Sequence, residues 1–233
     1  MPSTRAERDA FRATLLARQP GWYSPWAHLA FPSLCGLGAI ALCLAMLHRT
    51  TALDLVTVPV VWVLSNLVEW RAHRDLLHRR VPLPGFSVLY DRHTPEHHRV
   101  FVTEDMAMRS RREFRLVLIP FYGVLAVIVL DAPFAYALWR LELPNVALLF
   151  TATSAAYVVS YEWLHLAYHL PDDGLIGRLR LIRVLRRHHA VHHAPELMQQ
   201  WNFNVTVPLW DWIRGTTFHG ELPPARRGAE QAG

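Results

Sequence analysis

Four long apolar runs constrain this chain more than any other feature. They cover residues 27–47, 53–70, 116–139 and 146–170, and each is close to the roughly 20 residues a helix needs to cross the hydrocarbon layer of a bilayer. Soluble core helices seldom carry apolar runs of that length. Polar residues interrupt three of the four. Asn66 and Glu69 fall late in the second run, Asp131 and Pro133 in the third, and Glu162 and His165 late in the fourth. Asp131 and Pro133 predict that the third helix ends near Leu130 and leaves an interfacial segment. The expected fold is therefore all-α, a polytopic membrane bundle of about four transmembrane helices.

Charge supplies an independent constraint. The chain is 52% hydrophobic yet carries a formal charge of +5, so apolar bulk and basic charge must be segregated. Arginines crowd three segments: before the first run, between the second and third from Arg71 to Arg115, and after the fourth from Arg178 to Arg187. The other two connections hold only Arg49 and Arg140. Arginine-rich short segments stay on the cytoplasmic side, and four spans put all three of these on one side. Both termini are expected there.

Basic charge beside membrane spans is better explained by topology and anionic headgroups than by nucleic acid, so no nucleic-acid partner is expected. The start of the chain lacks the short apolar core and small-residue cleavage site of a signal peptide. Residues 1–26 are expected to form a cytoplasmic segment, with an amphipathic surface helix through Phe11, Leu15 and Leu16. Residues 27–219 form the membrane domain, and 220–233 read as a disordered tail. Cys35 and Cys43 lie inside an apolar run, which supports neither a disulfide framework nor a thiolate metal site.

The histidines are far from evenly spread. Eleven of the fourteen fall in two windows: "HRDLLH" and "HTPEHH" after the second run, then "HLAYH" and "HHAVHH" at and after the end of the fourth. On the expected topology both windows face the cytoplasm. His28, His48 and His219 stand alone and read as capping or hydrogen-bonded residues. A dense cluster of mostly neutral imidazoles is more simply explained by a shared proton or metal ion than by solubility.

Residues four apart on a helix share a face, so His165 with His169, and His93 with His97, are expected to point into one site. His189 relates similarly to His192 and His193. His73 and His78 are five apart, roughly 140° around an ideal helix; either they reach different metals or the helix unwinds between them. Ten or eleven imidazoles are too many for one ion, since a structural zinc site takes four ligands. Two metals would each receive about five. A histidine-rich set suits iron, zinc or copper rather than magnesium or calcium.

The ordered boxes "HRDLLH", "HTPEHH", "HLAYH" and "HAVHH", followed by "NFNVTVPLWDWIRGT", resemble the fatty acid hydroxylase/sterol desaturase superfamily of membrane di-iron enzymes. The resemblance covers about residues 60–218. It implies a helical membrane fold with a cytoplasm-facing histidine-rich dimetal cap, and oxygen-dependent hydroxylation or desaturation of a lipid. Carried over by position, the ligands would be His73, His78, His93, His97, His98, His165, His169, His189, His192 and His193, with His188 as a further candidate. The implied cofactors are two iron ions, with zinc an alternative occupant after purification, and dioxygen as cosubstrate. The chain shows neither a dinucleotide fingerprint nor a haem-attachment motif, so an external electron donor of the ferredoxin or cytochrome b5 type is implied.

Metal-bound histidines commonly donate their second ring nitrogen to a carboxylate or carbonyl. Glu69 lies four residues before His73 and Glu162 three before His165; both are expected to support a ligand, since carboxylates near a membrane interior are costly without a partner. Asp91, Asn202, Asn204 and Asp211 are further supporting candidates. "EWLH" fits the Glu-x-x-His motif of soluble di-iron bundles, but this chain has one such motif where those have two. Trp201, Phe203, Trp210, Trp212 and Phe218 read as interfacial anchors or packing, and "TATSAAY" as a close-packing stripe.

Hydroxylation of an unactivated C–H bond of a fatty acyl, sterol or related lipid is the expected reaction. Lipid desaturation is the near alternative. A membrane haem carrier would explain isolated histidines within spans but not adjacent pairs such as His97 and His98. A metal transporter would place its ligands near the midplane rather than at one face.

Overall fold

The computed structural model describes residues 4–82 and 87–222. Helix α1 (Arg5–Ala17) opens with a reciprocal cap in which the Thr4 hydroxyl accepts from the Glu7 N–H and the Glu7 carboxylate accepts from the Thr4 N–H, satisfying two donors that a helix start leaves free. As the amphipathic spacing predicts, Phe11, Leu15 and Leu16 turn inward, onto a core that includes Leu29, Phe101 and Leu116. Helix α2 (Pro25–Ala45) is capped by Ser24 and carries Pro25 at its first position, where the missing N–H costs nothing. A short α3 (Ala52–Leu55) leads into α4 (Thr57–Ala72), whose end widens into a π-helical turn, His73–Leu77. Then come α5 (Ser87–Arg92), a second π turn His93–His97, α6 (His98–Val100) and α7 (Phe114–Val117). The chain continues as α8 (Gly123–Arg140), α9 (Pro144–Tyr168), α10 (Arg180–His192) and α11 (Leu209–Arg214). Among the described residues no strand forms beyond an isolated bridge between Val102 and Asp105.

Three segments are long and apolar enough to cross a membrane: Pro25–Ala45, Ala52–Leu77 and Gly123–Arg140, with mean hydropathy 1.8, 1.5 and 1.5. Their large side chains face outward, Leu34 and Leu42 on α2, Val60 and Leu64 on α4, Val129 and Phe134 on α8. A belt of that kind is costly in water and favourable in lipid. The chain is a membrane protein.

The fourth apolar run does not reach the apolarity of the other three, although α9 has 25 residues. The reason is its position. It packs against α2, α4 and α8 together and buries Thr153, Ser154, Tyr157, Glu162 and His165 inside the bundle, so its surroundings are protein more than lipid. Gly36 on α2 permits the close approach of α2 to α9, since a Cβ there would land on the Cγ2 of Val159.

The third run differs from expectation at both ends. Leu116, Val117 and Leu118 are buried in the core beside α1, and Leu118 is already extended. The membrane helix starts only at Gly123, after a turn closed by its own N–H on the Pro120 carbonyl. It then runs past Leu130 to Arg140 with Pro133 inside it, and Asp131 accepts a hydrogen bond from Ser154 of α9. A carboxylate that finds a donor on the neighbouring helix need not end the span.

The start of α2, the end of α4, the start of α8 and the end of α9 all meet at one end of the bundle. His28 at the start of α2 bonds the Ile119 carbonyl just before α8, and Trp26 packs edge-on against Phe114. That end carries the histidines. Within 220–233, residues 223–233 lie outside the described residues, as do residues 1–3.

Candidate metal centre

Two π turns decide how the histidines are distributed. In each, a backbone bond spans five residues, from His78 N–H to the His73 carbonyl and from His98 N–H to the His93 carbonyl. An i→i+5 turn brings residues five apart onto nearly one face. His73 and His78 therefore converge, and the wider turn is how the chain resolves their spacing. His93 shares its group with His98, while His97, whose ring stacks on that of His93 with centroids 5.3 Å apart, gives its nitrogen to the other group, a division that four-residue spacing did not predict. On the α-helical segments the ordinary rule holds: His165 pairs with His169, and His189 with His193, while His192 points to the other side.

The result is two groups of five buried histidines. One comprises His73, His78, His93, His98 and His192; the other His97, His165, His169, His189 and His193. Within each, one ring nitrogen from every member lies within 4.8 Å of those of the other four. All ten rings are at most 7% exposed. His188 belongs to neither group; its Nε2 lies 3.0 Å from Asp211 Oδ2.

Backbone carbonyls set the tautomers. The Nδ1–H of His97 donates to Leu116 O at 2.8 Å, that of His193 to Phe101 O at 2.7 Å, that of His169 to Met106 O at 2.8 Å and that of His192 to Trp201 O at 2.8 Å. His73 Nδ1 likewise meets the Phe203 carbonyl. Thr94 spends its hydroxyl hydrogen on Leu77 O, so it accepts from His78 Nδ1 at 3.1 Å. A neutral imidazole protonated at Nδ1 presents a bare lone pair at Nε2.

Bare lone pairs then face one another. His97 Nε2 and His193 Nε2 stand 3.2 Å apart in one group, and His78 Nε2 and His192 Nε2 stand 2.9 Å apart in the other. With both protons held elsewhere, neither contact is a hydrogen bond. The arrangement is repulsive unless a cation sits between the nitrogens. Two nitrogens each about 2.1 Å from one ion, and about 90° apart, stand about 3.0 Å from each other, so the donor set fits a metal in each group. Burial, reinforced by the neighbouring imidazoles, holds His93, His97, His98, His189, His192 and His193 well below the ordinary histidine range. They are neutral at pH 7, the form that binds metal.

The expected supporting residues act one step further out. Among the described residues, no hydrogen bond joins Glu69, Glu162, Asp91, Asn202, Asn204 or Asp211 to any of the ten rings. Asp91 lies on the surface in an ion pair with Arg80. Glu162 Oε1 accepts from Ile119 N–H at 3.2 Å, steadying the segment whose Leu116 carbonyl holds His97. Glu69 accepts from the Val205 and Thr206 N–H groups, the Thr206 hydroxyl and the Tyr157 hydroxyl. Asp211 accepts from the N–H groups of Phe203 and Asn204 and from the Thr216 hydroxyl. Burial works against its charge, but the His188, Thr216 and Asn204 bonds outweigh it and hold its carboxyl below the usual range.

These residues fix segment 201–206, whose Trp201 and Phe203 carbonyls hold one histidine each. Asn202 takes a left-handed backbone, φ 56°. Its amide bonds the His188 carbonyl and the Phe218 N–H. Asn204 bonds the Asn66 carbonyl and the N–H groups of Trp210 and Asp211. The Trp210 indole reaches the Val63 carbonyl, ten residues and about 15 Å of helix before His73. Non-helical backbone at that depth survives only when buried and fully bonded inside protein, which is the work of Asn66, Glu69, Tyr157 and Thr206. Sequence reasoning missed Tyr157, Thr206 and Thr94, and read Tyr157 as packing. The carbonyl acceptors left no side-chain signal to find.

A comparison with curated proteins finds no match. Among solved structures, the chain is similar to one described as full-length scs7p with only the hydroxylase domain visible, at TM-score 0.56 and 19% identity, covering 86% of this chain and 69% of that one. At that identity the likeness concerns the fold. The sequence model for fatty acid hydroxylases matches residues 58–216, a span that holds both π turns, all ten clustered histidines and the 201–206 segment that supports them. The chain belongs to the fatty acid hydroxylase family.

Proposed function

We propose that this chain is an oxygen-dependent lipid hydroxylase with one iron in each five-histidine group. The observation that carries the metal assignment is the pair of facing, unprotonated nitrogens in each group, His97 with His193 and His78 with His192. Family membership supports the reaction type. When bound, the two irons would supply activation of dioxygen, for the balance R–H + O2 + 2 e⁻ + 2 H⁺ → R–OH + H2O. The chain's own part is to hold ten neutral imidazoles in place through carbonyls, and to keep water away by burial.

A cavity of about 60 Å³ supports the placement of the reacting carbon. It touches His93 of one group and His97 and His165 of the other, and its remaining wall is mostly apolar, with Leu77, Val88 and Leu116 among the lining residues. A hydrocarbon segment in it would lie beside both groups. The arginine-rich segments flank the histidine end of the bundle, which supports a cytoplasmic orientation for that end and for both termini.

The test is turnover under labelled dioxygen with lipid extracts as substrate. The expected product is an alcohol carrying one labelled oxygen, lost in His97→Ala and His193→Ala proteins that still fold. An unlabelled alkene would move the assignment to desaturation, and a histidine variant with unchanged turnover would remove the metal role.

A further inference from the structure

The chain leaves α9 through a loop, residues 171–179, and enters α10. Along this stretch Leu175, Ile176, Leu179, Leu181 and Val184 are exposed, Leu175 by 89% and Leu181 by 64%. None of them belongs to a segment long and apolar enough to span a membrane. Leu181 and Val184 stand three apart and share a face of α10, while Ile182, His189 and His192 turn inward. A run of exposed apolar side chains of this kind calls for a partner. Its level in the molecule is set by packing: Ile182 shares a small core with Ala167, Tyr168 and Val205, and Tyr161 and Leu164 pack against that core. The first half of α10 therefore lies alongside the last turns of α9, at the histidine end of the bundle. Trp163, half exposed on the same turns, is the type of side chain that settles at the headgroup level of a bilayer.

Charge identifies the chemistry of the partner. Arg180, Arg183 and Arg187 follow one another at three- and four-residue spacing along the adjoining edge of α10, and Arg178 precedes them in the loop. All four are exposed and have no ion pair among the described residues. Asp172 is matched by Arg186, which leaves Asp173 as the remaining carboxylate of this stretch against four guanidinium groups. A second copy docked here about a two-fold axis would set these arginines against one another. Leucines beside unpaired arginines suit an anionic leaflet, with the apolar side chains below the phosphates and the guanidinium groups among them.

We propose that the edge from Leu175 to Val184 dips into an anionic leaflet, and that this contact seats α10. Ile182 is the one buried side chain in the first half of that helix, so the protein alone holds this half through little packing. His189, His192 and His193 sit at the other end of the same helix. A helix seated by lipid at one end holds three of the ten clustered rings in place at the other.

The experiment places a nitroxide at Leu181→Cys, in a Cys35→Ala, Cys43→Ala background of the full-length protein. The protein is held in nanodiscs of phosphatidylcholine alone and of phosphatidylcholine mixed with phosphatidylglycerol. Collisions with dissolved oxygen report lipid, and collisions with a water-soluble nickel chelate report solvent. In the mixed discs the nickel collision rate is expected to be roughly ten-fold lower than in the neutral ones. Amide hydrogen exchange across residues 188–193 should slow by about the same factor. Arg178→Gln with Arg180→Gln and Arg183→Gln should cancel both differences, with exchange in α2 and α8 unchanged.

A nitroxide equally open to nickel in both discs would overturn the lipid contact. So would one shielded in both with dipolar broadening between labels, which would put a second copy of the chain on this face. Shielding in both discs that the arginine variant leaves unchanged would overturn the anionic assignment. A nickel difference without an exchange difference would overturn the seating of α10. Neither readout needs a bound metal, so a protein that binds none would bring down the two-iron reading and leave this inference standing.

Discussion

At the scale of single residues, the buried polar groups hold the chain's shape more than they touch the metal site. Glu69 receives four donors from Tyr157, Val205 and Thr206, and two of these are backbone N–H groups of Val205 and Thr206 that are fixed in direction. Glu69→Gln puts an N–H2 among donors and should cost about 1–3 kcal/mol. The expected readout is a lower thermal midpoint together with weaker metal retention, because the loosened segment carries the Phe203 carbonyl that holds His73. An unchanged midpoint would contradict this role. Arg12 is a second case. It is 4% exposed, pairs with Glu113 at 3.2 Å and lies over the Phe101 ring. Arg12→Ala leaves Glu113 buried without its cation and should cost about 3–5 kcal/mol. Arg12→Met with Glu113→Gln should recover most of that loss in a double-mutant cycle; simple additivity would show that the pair does not act as one.

At the scale of elements, what was legible in the sequence depended on whether a regular period carried it. The apolar runs and the ten histidines stand out because hydropathy and residue identity are local. The partition of those histidines does not, because a π turn shifts the register without changing the pattern of apolar residues. His93 and His97 looked paired on four-residue spacing and instead enter different groups. The supporting acceptors were hidden for a different reason: the carbonyls of Phe101, Met106, Leu116, Trp201 and Phe203 belong to the backbone, and no side chain marks them. Helix α9 shows a third limit, since its lower apolarity reflects contact with three other helices. Gly36 tests that packing directly. Gly36→Val should push α2 off Val159 and lower stability by about 1–3 kcal/mol, read as a lower melting temperature in detergent. A variant as stable as native would mean that the crossing has slack.

At the scale of the whole molecule, the fold places two groups of five buried histidines, each able to hold a metal ion, at one end of a membrane bundle and keeps the rings neutral by burial. That has a consequence for pH. Burial, with the neighbouring imidazoles, holds His93, His97, His98, His189, His192 and His193 well below the ordinary histidine range in the folded chain. Below about pH 6.5 the unfolded chain therefore binds more protons than the folded one, and stability must fall with falling pH. Metal retention should fall with it, since the same protons compete for the ligand nitrogens. A melting temperature that is flat between pH 7.5 and 5.5 would contradict neutral, buried imidazoles.

The most direct measurement is the metal content of the purified protein, by elemental analysis with an optical spectrum on the same sample. Two facing sets of five histidines predict close to two irons per chain and no Soret band. One metal per chain, no metal, or a haem spectrum would contradict the two-centre account.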